Sequence, residues 1–230
     1  MPLAELQTRL RRVFEDWGQP GALRVDNGEP FGSPTGYAPP PLSLWLIGQG
    51  IHVIWNKPGC PQQNAVVEKL QDTTARWAEV HACRDLADLN QRLAQQSQRQ
   101  RQAYPVSRLG GLTRLAAYPA LFSGQRRYDP ADFQIQRVWQ FLAGLSFTRR
   151  VSGVGVVTHF NQSISIGRHY KGQYAQLRLQ ADGQHWQVFV DGQMVKTYPA
   201  EALTRQRVED LTVMTKNRRP NRNVVSSNPT

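Results

Sequence analysis

The stretch "LRVDNGEPF", residues 23–31, places a short β-branched run directly before an aspartate and a turn. Asp26 stands where a strand is expected to stop and a loop to begin, and a rigid element can hold a side chain toward a ligand from such a position. The tripeptide Asp26-Asn27-Gly28 is also ordinary turn chemistry, so this stretch alone favours a simple turn. A second carboxylate and the composition of the chain change that balance.

The charge of the chain points to an acidic partner. Its 230 residues carry 28 Lys+Arg against 17 Asp+Glu, which gives a formal charge of +11 and a pI of about 10.3. Residues 1–90 have a net charge of −2, residues 91–144 of +6 and residues 145–230 of +7. Nucleic acid is the commonest partner of so basic a chain. With 40% hydrophobic residues, the chain is expected to form one or two globular domains and not a disordered tail.

Cysteine usage and hydropathy exclude several classes of protein. The two cysteines, Cys60 and Cys83, have no Cys or His neighbour at a zinc-binding spacing, and the five histidines are scattered. No apolar run approaches the roughly 20 residues that span a bilayer, and no signal peptide is recognisable. The chain is therefore expected to be soluble and cytoplasmic, with no membrane partner.

The first part of the chain alternates helices with short strands. Apolar spacing predicts strands over 22–26 and 50–56, and helices over 3–17, 42–48, 64–81 and 84–102. A helix between two successive strands implies that the strands are parallel. The packed stripe of the helix over 64–81 is expected to consist of Val67, Leu70, Thr74 and Trp77.

The second part of the chain has a different pattern. A Gly-, Pro- and Arg-rich linker with a helix is predicted over 103–145, and residues from 203 onward have no periodicity and are expected to be disordered. Asp182-Gly183 and Asp191-Gly192 are strong signals for tight hairpins. A small antiparallel barrel or sandwich is therefore predicted, with strands over 147–151, 155–160, 162–166, 174–180, 186–190 and 194–198.

A second carboxylate, Glu68, lies 42 positions beyond Asp26, near the start of the helix over 64–81. If this helix packs across the two parallel strands, Asp26 and Glu68 can meet at one edge of the sheet. Carboxylate oxygens suit Mg²⁺ or Mn²⁺, and a pair of such ions supports phosphodiester cleavage or transfer. A single carboxylate pair is a weak signal by itself, because most surface Asp and Glu side chains are only solvated.

At these residues the chain resembles a known family. Asp26-Asn27-Gly28-Glu29-Pro30-Phe31 matches a "DNG-x-x-F" motif, and Gly50-Ile51, Pro58, Pro61-Gln62-Gln63-Asn64 and Glu68 match a second motif. Both are typical of the transposases and integrases of the retroviral-integrase-like superfamily, whose RNase H-like core carries an Asp-Asp-Glu triad. The resemblance covers about residues 3–115 and includes "SRLGGLTRL" at 107–115.

The resemblance implies both an architecture and a site. A partial α/β RNase H-like catalytic core would occupy 1–102, the basic linker and helix 103–145, a small all-β SH3-like barrel 146–202, and a disordered basic tail 203–230. Asp26 and Glu68 would be catalytic ligands of a two-metal Mg²⁺ or Mn²⁺ site that is incomplete in this chain. The same resemblance places Asn64, Lys69 and Arg76 close to DNA.

The barrel offers further candidate contacts to DNA. The cations expected to bind phosphates, each adding to a salt-dependent affinity, are Arg149, Arg150, Arg168, Lys171, Arg178 and Lys196. The alternative is that these cations only decorate a solvated surface. Trp186 and Phe189 could stack on bases, although aromatic residues in a barrel are more often part of its core.

The chain departs from the family pattern in two respects. Ala65 and Val67 stand where the family usually has glycine and often a basic residue. The first aspartate of the triad belongs on a strand three elements upstream of "LRVDNG", and Asp16, at the end of a helix, cannot replace it. The first strands of the RNase H-like sheet are therefore expected to be missing, and the chain is interpreted as the C-terminal piece of a bacterial insertion-sequence transposase.

Three functional hypotheses remain open at this point. The first is a transposase or integrase fragment, which when complete performs metal-dependent cleavage and transfer of DNA strands. The second is a non-catalytic DNA-binding remnant of such an enzyme, and the third is an unrelated RNA-binding barrel. The expected partner is double-stranded DNA, the expected location is the bacterial nucleoid, and joining two DNA ends favours a homo-oligomer.

Overall fold

The computed structural model describes residues 1–32, 38–122 and 126–214, which form a mixed α/β structure. Within these ranges the α-helices are α1 (Leu3–Trp17), α2 (Pro41–Gly48), α3 (Ala65–Ala78), α4 (Leu86–Gln102), α5 (Arg114–Ala117), α6 (Ile135–Ala143) and α7 (Arg205–Glu209). The strands are β1 (Ala22–Val25), β2 (His52–Trp55), β3 (Phe147–Arg150), β4 (Val156–His159), β5 (Gln162–Ser165), β6 (Tyr174–Leu179), β7 (His185–Val190) and β8 (Gln193–Pro199).

Strands β1 and β2 form a parallel pair, as the sequence predicts. Their register runs from Ala22 opposite His52 to Val25 opposite Trp55. Helix α2 lies between the two strands in the chain, and parallel neighbours need such a crossover. Because the strands run in the same direction, the residues that follow both of them lie at one edge of this small sheet.

The β-rich part consists of two antiparallel sheets. One has four strands in the order β3-β6-β7-β8, and the other is the hairpin of β4 and β5. Asp191 and Gly192, with φ of 49° and 79°, form the two-residue turn between β7 and β8. Positive φ at both central residues is the requirement of a type I′ turn, so the hairpin predicted from Asp191-Gly192 is confirmed. Whether this part is an SH3-like barrel, and the first part an RNase H-like core, stays a prediction.

The chain divides into two compact units. The first contains residues 1–13, 19–58 and 128–230, and the second contains residues 14–18 and 59–127. This division differs from the predicted domains, because the β1–β2 pair belongs to the same unit as the β-rich part. The linker predicted over 103–145 is also divided, and its helix α6 is a packed element of the first unit.

Helix α2 is at the centre of the first unit. Seven of its eight residues are buried, and Ser43 is its only polar residue, as expected of a helix that packs on nearly every side. Gly48, the last residue of α2, lies under the ring of Phe133, and a Cβ at this position would overlap that ring. The Gly48 carbonyl accepts hydrogen bonds from the backbone N–H of Gln134 at 2.9 Å and from Nη1 of Arg137 at 3.0 Å. These contacts fix the start of α6 against the end of α2.

Aromatic side chains form the core of the β-rich part. Trp186 is fully buried, its ring stacks on Phe160 with centroids 5.6 Å apart, and Phe147 meets it edge-on at 5.8 Å. Helix α6 joins this core through Trp139, whose Nε1 donates to the Leu203 carbonyl at 3.1 Å. The prediction that Trp186 belongs to the core is confirmed.

Two sequence predictions are corrected by the structure. The segment from 203 was expected to be disordered, yet α7 lies within it, and Leu203, Val208 and Val213 are buried. These three apolar residues are too far apart to give a clear periodic signal, but tertiary packing orders them. The predicted packed stripe of α3 is also wrong in part, because Val67 is 55% and Leu70 42% exposed.

Some sequence predictions concern residues outside the described ranges. These are residues 33–37, between the strand predicted over 22–26 and the helix predicted over 42–48, part of the linker near 123–125, and the tail from 215. Over the ranges that are described, no helix combines the length and the apolar character needed to cross a membrane.

The first prediction concerns Gly48. Gly48→Ala is expected to lower the free energy of unfolding by about 1–3 kcal/mol, because the new methyl group collides with Phe133 in a packed core. Urea denaturation measures the change. Gly144→Ala is the matched control, since Gly144 follows α6, is exposed and has room for a Cβ. Equal stability of the two variants would contradict the proposed packing of α2 against α6.

Candidate nucleic-acid interface

Asp26 occupies the position that the sequence predicts, at the carboxyl end of β1. It is exposed, and its Oδ1 accepts the backbone N–H of Gly28 at 3.2 Å, which is an Asx-type turn. Asn27 donates from Nδ2 to the carbonyl of Asn56 at 2.7 Å. Since Asn56 follows β2, this bond ties together the two chain segments that leave the parallel pair.

Phe31, five residues after Asp26, is also anchored. The carbonyl of Phe31 accepts the Ser43 hydroxyl at 2.7 Å and the indole N–H of Trp55 at 2.8 Å. Ser43 is on α2 and Trp55 is the last residue of β2. The loop that carries Asp26 is thus held by the two elements that follow it, which gives the Asp26 carboxylate a supported and solvent-facing position.

Glu68 lies in the first turn of α3 and is exposed. Asn64 precedes this helix, and its carbonyl accepts the N–H of Glu68 at 3.0 Å. Lys69 and Arg76 both approach Asp72, with N···O distances of 3.9 and 3.2 Å. All of these predicted site residues on α3 belong to the second unit, whereas Asp26 belongs to the first.

The fit of a metal ion can be tested on the side chains themselves. In the part of the chain that the structure describes, no group of three or more His, Cys, Asp or Glu side chains could hold a metal ion. The Mg²⁺ or Mn²⁺ site stays a prediction from the resemblance.

The four-stranded sheet presents a polar and aromatic surface to solvent. Residues of β6 alternate strictly between exposed and buried, and Tyr174, Gln176 and Arg178 are the exposed ones. Gln176 pairs with Phe189 and Arg178 with Gln187 on β7. We call the surface formed by Arg150, Tyr174, Gln176, Arg178, Gln187 and Phe189 the outer sheet face.

The outer sheet face has no acidic residue. Strands β3 to β8 contain neither Asp nor Glu, and the carboxylates nearest in sequence are Asp182 and Asp191 in the turns and Glu201 after β8. The Arg178 guanidinium lies 5.2 Å from the centroid of the Phe189 ring, a cation–π geometry. Arg150 is exposed and stands opposite Tyr174 in the register. Two of the six predicted phosphate contacts, Arg150 and Arg178, therefore lie on this face.

Arg149 points the other way, toward the core. Its Nη2 lies 3.1 Å from Nδ1 of the buried His159. Since a guanidinium can only donate, Nδ1 must be the acceptor and the imidazole proton must be on Nε2. Burial, and then the charge of Arg149, lower the pKa of His159 well below its usual value. Arg149 thus holds a neutral histidine in the core in addition to its predicted role at DNA.

The remaining three cations lie off the outer sheet face. Lys196 donates from Nζ to the carbonyl of Ser165 on β5 at 2.8 Å. Arg168 and Lys171 are exposed in and after the 3₁₀ turn at Arg168–Tyr170. The predicted cations are thus divided between different surfaces of the β-rich part.

Sequence reasoning missed the polar and aromatic part of the outer sheet face, in particular Tyr174, Gln176 and Gln187. The available signal was the alternation in "YAQLRL" and "HWQVFV", which assigns every second residue to one face. Knowing that these two strands are neighbours, which the hairpin signal at Asp182-Gly183 indicates, would have placed the three side chains together.

No protein-family model matches the chain. The resemblance to transposases and integrases therefore rests on the two motifs around Asp26 and Glu68, and it stays a prediction. The geometry described above is the independent ground on which a function can be proposed.

The second prediction concerns pH. The folded state keeps His159 neutral, whereas the unfolded chain protonates it near the ordinary pKa of 6.5. Its contribution to stability is therefore complete above pH 6.5 and is lost as the pH falls below that value, by up to about 1.4 kcal/mol per pH unit. Urea midpoints between about pH 5.5 and 7.5 measure this loss.

Two variants control the pH experiment. His159→Gln is expected to reduce the slope between about pH 5.5 and 6.5, since no buried imidazole is left to protonate. His81→Gln removes an exposed histidine and should keep the slope of the parent chain. The assignment is refuted if the parent chain and His159→Gln lose stability in parallel as the pH falls.

Proposed function

We propose that this chain is a DNA-binding protein related to the Asp-Asp-Glu transposases, and that it holds duplex DNA on the outer sheet face. The observation that carries the proposal is the combination of exposed Arg150 and Arg178 with the absence of any carboxylate from strands β3 to β8. A polyanion meets attraction and no local repulsion on such a surface.

The composition of the face favours contacts to the DNA backbone. Arginine guanidinium groups bind phosphate oxygens, and the amide groups of Gln176 and Gln187 can donate to phosphate or sugar oxygens. The face is built on paired strands, so its side chains keep fixed spacings. This arrangement supports binding with little sequence preference, in which affinity depends strongly on salt.

A second candidate function is metal-dependent cleavage and transfer of DNA strands. One observation favours it: β1 and β2 are parallel, and the loop after β1 presents Asp26 at their carboxyl edge. The resemblance assigns this residue, together with Glu68, to metal binding. With two carboxylates and no described third ligand, we assign no catalytic step to the chain.

The third prediction tests the outer sheet face. The double variant Arg150→Ala/Arg178→Ala is expected to weaken binding to a duplex oligonucleotide and to reduce the slope of log K against log salt by about 2, since each lost phosphate contact contributes about 0.9. Fluorescence anisotropy over a range of salt concentrations measures both quantities. Arg12→Ala, which removes one exposed positive charge on α1 and so matches each single sheet substitution, should leave the slope nearly unchanged.

Two outcomes would overturn this assignment. If Arg12→Ala changes the affinity and the salt slope as much as either sheet substitution alone, only the net charge of the chain matters for binding. Tighter binding to RNA than to duplex DNA at the same salt concentration would favour the RNA-binding hypothesis.

The fourth prediction separates binding from catalysis. Asp26→Asn and Glu68→Gln are expected to keep the affinity for DNA within about twofold, because neither residue belongs to the outer sheet face. The same proteins are incubated with supercoiled plasmid and Mg²⁺. If the parent chain nicks the plasmid and each substitution abolishes the nicking, the second candidate function is established. The result on DNA affinity would still stand.

A further inference from the structure

Helix α3 leaves much of its apolar surface uncovered. Val66 and Val67 are each 55% exposed and Leu70 is 42% exposed, while Ala78 is the only buried residue of the helix. Helices of globular proteins normally bury such residues, and exposed apolar patches commonly mark interaction sites. This surface is outside both the Asp26 loop and the outer sheet face.

A groove of about 470 Å³ runs along this surface, within the second unit. Val66, Leu70 and Trp77 line it from α3, and Tyr104 lines it from the segment after α4. The three α3 residues lie on one side of the helix and span about 16 Å, at about 1.5 Å per residue. We call this feature the α3 groove, and it is long enough for about three turns of a partner helix.

Contacts between α3 and α4 hold the aromatic wall of the α3 groove in place. The rings of Trp77 and Tyr104 meet edge-on with centroids 5.1 Å apart, and the Arg99 guanidinium lies 5.1 Å from the Trp77 ring. Gln100 donates from Nε2 to the Thr74 hydroxyl at 2.8 Å. A wall ordered in this way loses little conformational entropy when a ligand binds.

The charged side chains of the α3 groove are all positive. Among the described residues, Lys69, Arg108 and Arg114 line it, and no Asp or Glu does. Arg114 is oriented by a 2.7 Å hydrogen bond from Nη1 to the Gln100 carbonyl. Lys69 has Asp72 at 3.9 Å, but both side chains are more than half exposed, so solvent screens this pair. The rim therefore favours an acidic ligand.

We propose that the α3 groove binds an acidic amphipathic helix of a partner protein. The apolar side of that helix packs on Val66, Leu70 and Trp77, and its acidic flanks face Lys69 and Arg108, which is the helix-in-groove mode of recognition. A second copy of this chain is a poor ligand, because no described helix of eight or more residues has a net negative charge. Trp77 and Tyr104 offer aromatic surfaces, but the aliphatic Val66 and Leu70 provide no stacking surface, so the apolar side of a helix fits the groove better than nucleic acid does.

The test uses the full chain and a synthetic probe. The probe is a fluorescein-labelled peptide of about 15 residues, with leucines spaced to form one helical stripe and glutamates elsewhere, followed by anisotropy. A second peptide of the same composition has its leucines scrambled. The striped peptide is expected to bind at least about tenfold more tightly than the scrambled one, because only the stripe can enter the groove.

Two pairs of variants locate the binding site. Leu70→Ser is expected to raise the Kd of the striped peptide about tenfold, whereas Val80→Ser, an equally exposed apolar position outside the groove, should not change it. Arg108→Ala is expected to raise the Kd severalfold, and Arg84→Ala, exposed in the same unit but outside the groove, is its control. Circular dichroism confirms that each variant is folded.

Three results would overturn the proposal: no binding of the striped peptide, equal binding of the scrambled peptide, or equal effects of Leu70→Ser and Val80→Ser. Loss of oligonucleotide binding in Leu70→Ser, with displacement of the peptide by the oligonucleotide, would assign the groove to nucleic acid instead. The outer sheet face is tested separately, since Arg150→Ala/Arg178→Ala should leave peptide binding unchanged.

Discussion

The contact between Gly48 and Phe133 is the constraint on which the first unit depends. Helix α2 is buried on nearly every side, so its neighbours must approach it closely, and Gly48 is the point where they do. The Gly48 carbonyl then orients the start of α6 through Gln134 and Arg137. Since α6 also carries Trp139 to the β-rich part, one glycine connects the packing of the parallel pair to that of the antiparallel sheet.

The basic residues of the β-rich part have different structural roles, although the sequence does not distinguish them. Arg149 is turned inward and holds a neutral His159, while Arg150, its neighbour, faces solvent. Strand alternation explains the difference, because successive side chains point to opposite faces. A DNA surface proposed from charge alone would have counted both residues equally. The proposed outer sheet face is smaller, and its aromatic and amide side chains are as characteristic of it as its two arginines.

Much of the local structure could be predicted. Helix α1, the parallel pair and the antiparallel strands follow from apolar periodicity, and the Asp191-Gly192 turn follows from the preference of glycine and aspartate for positive φ. The errors have physical causes as well. Residues 203–214 have a weak local pattern, and they become ordered only because Val208 and Val213 find a core to enter. The stripe of α3 has a strong pattern, yet Val67 and Leu70 stay about half exposed.

The sequence by itself determined most of the elements and their order, the direction of the first two strands and the basic character of the second part, since these depend on near neighbours and on composition. It also placed Asp26 at the end of a strand. Only the tertiary structure decided that the parallel pair and the β-rich part share one unit, that Arg149 faces inward, and that α3 keeps an open groove. Burial depends on contacts between residues far apart in the chain. A periodic pattern identifies an apolar face, but it cannot specify which distant surface will cover that face.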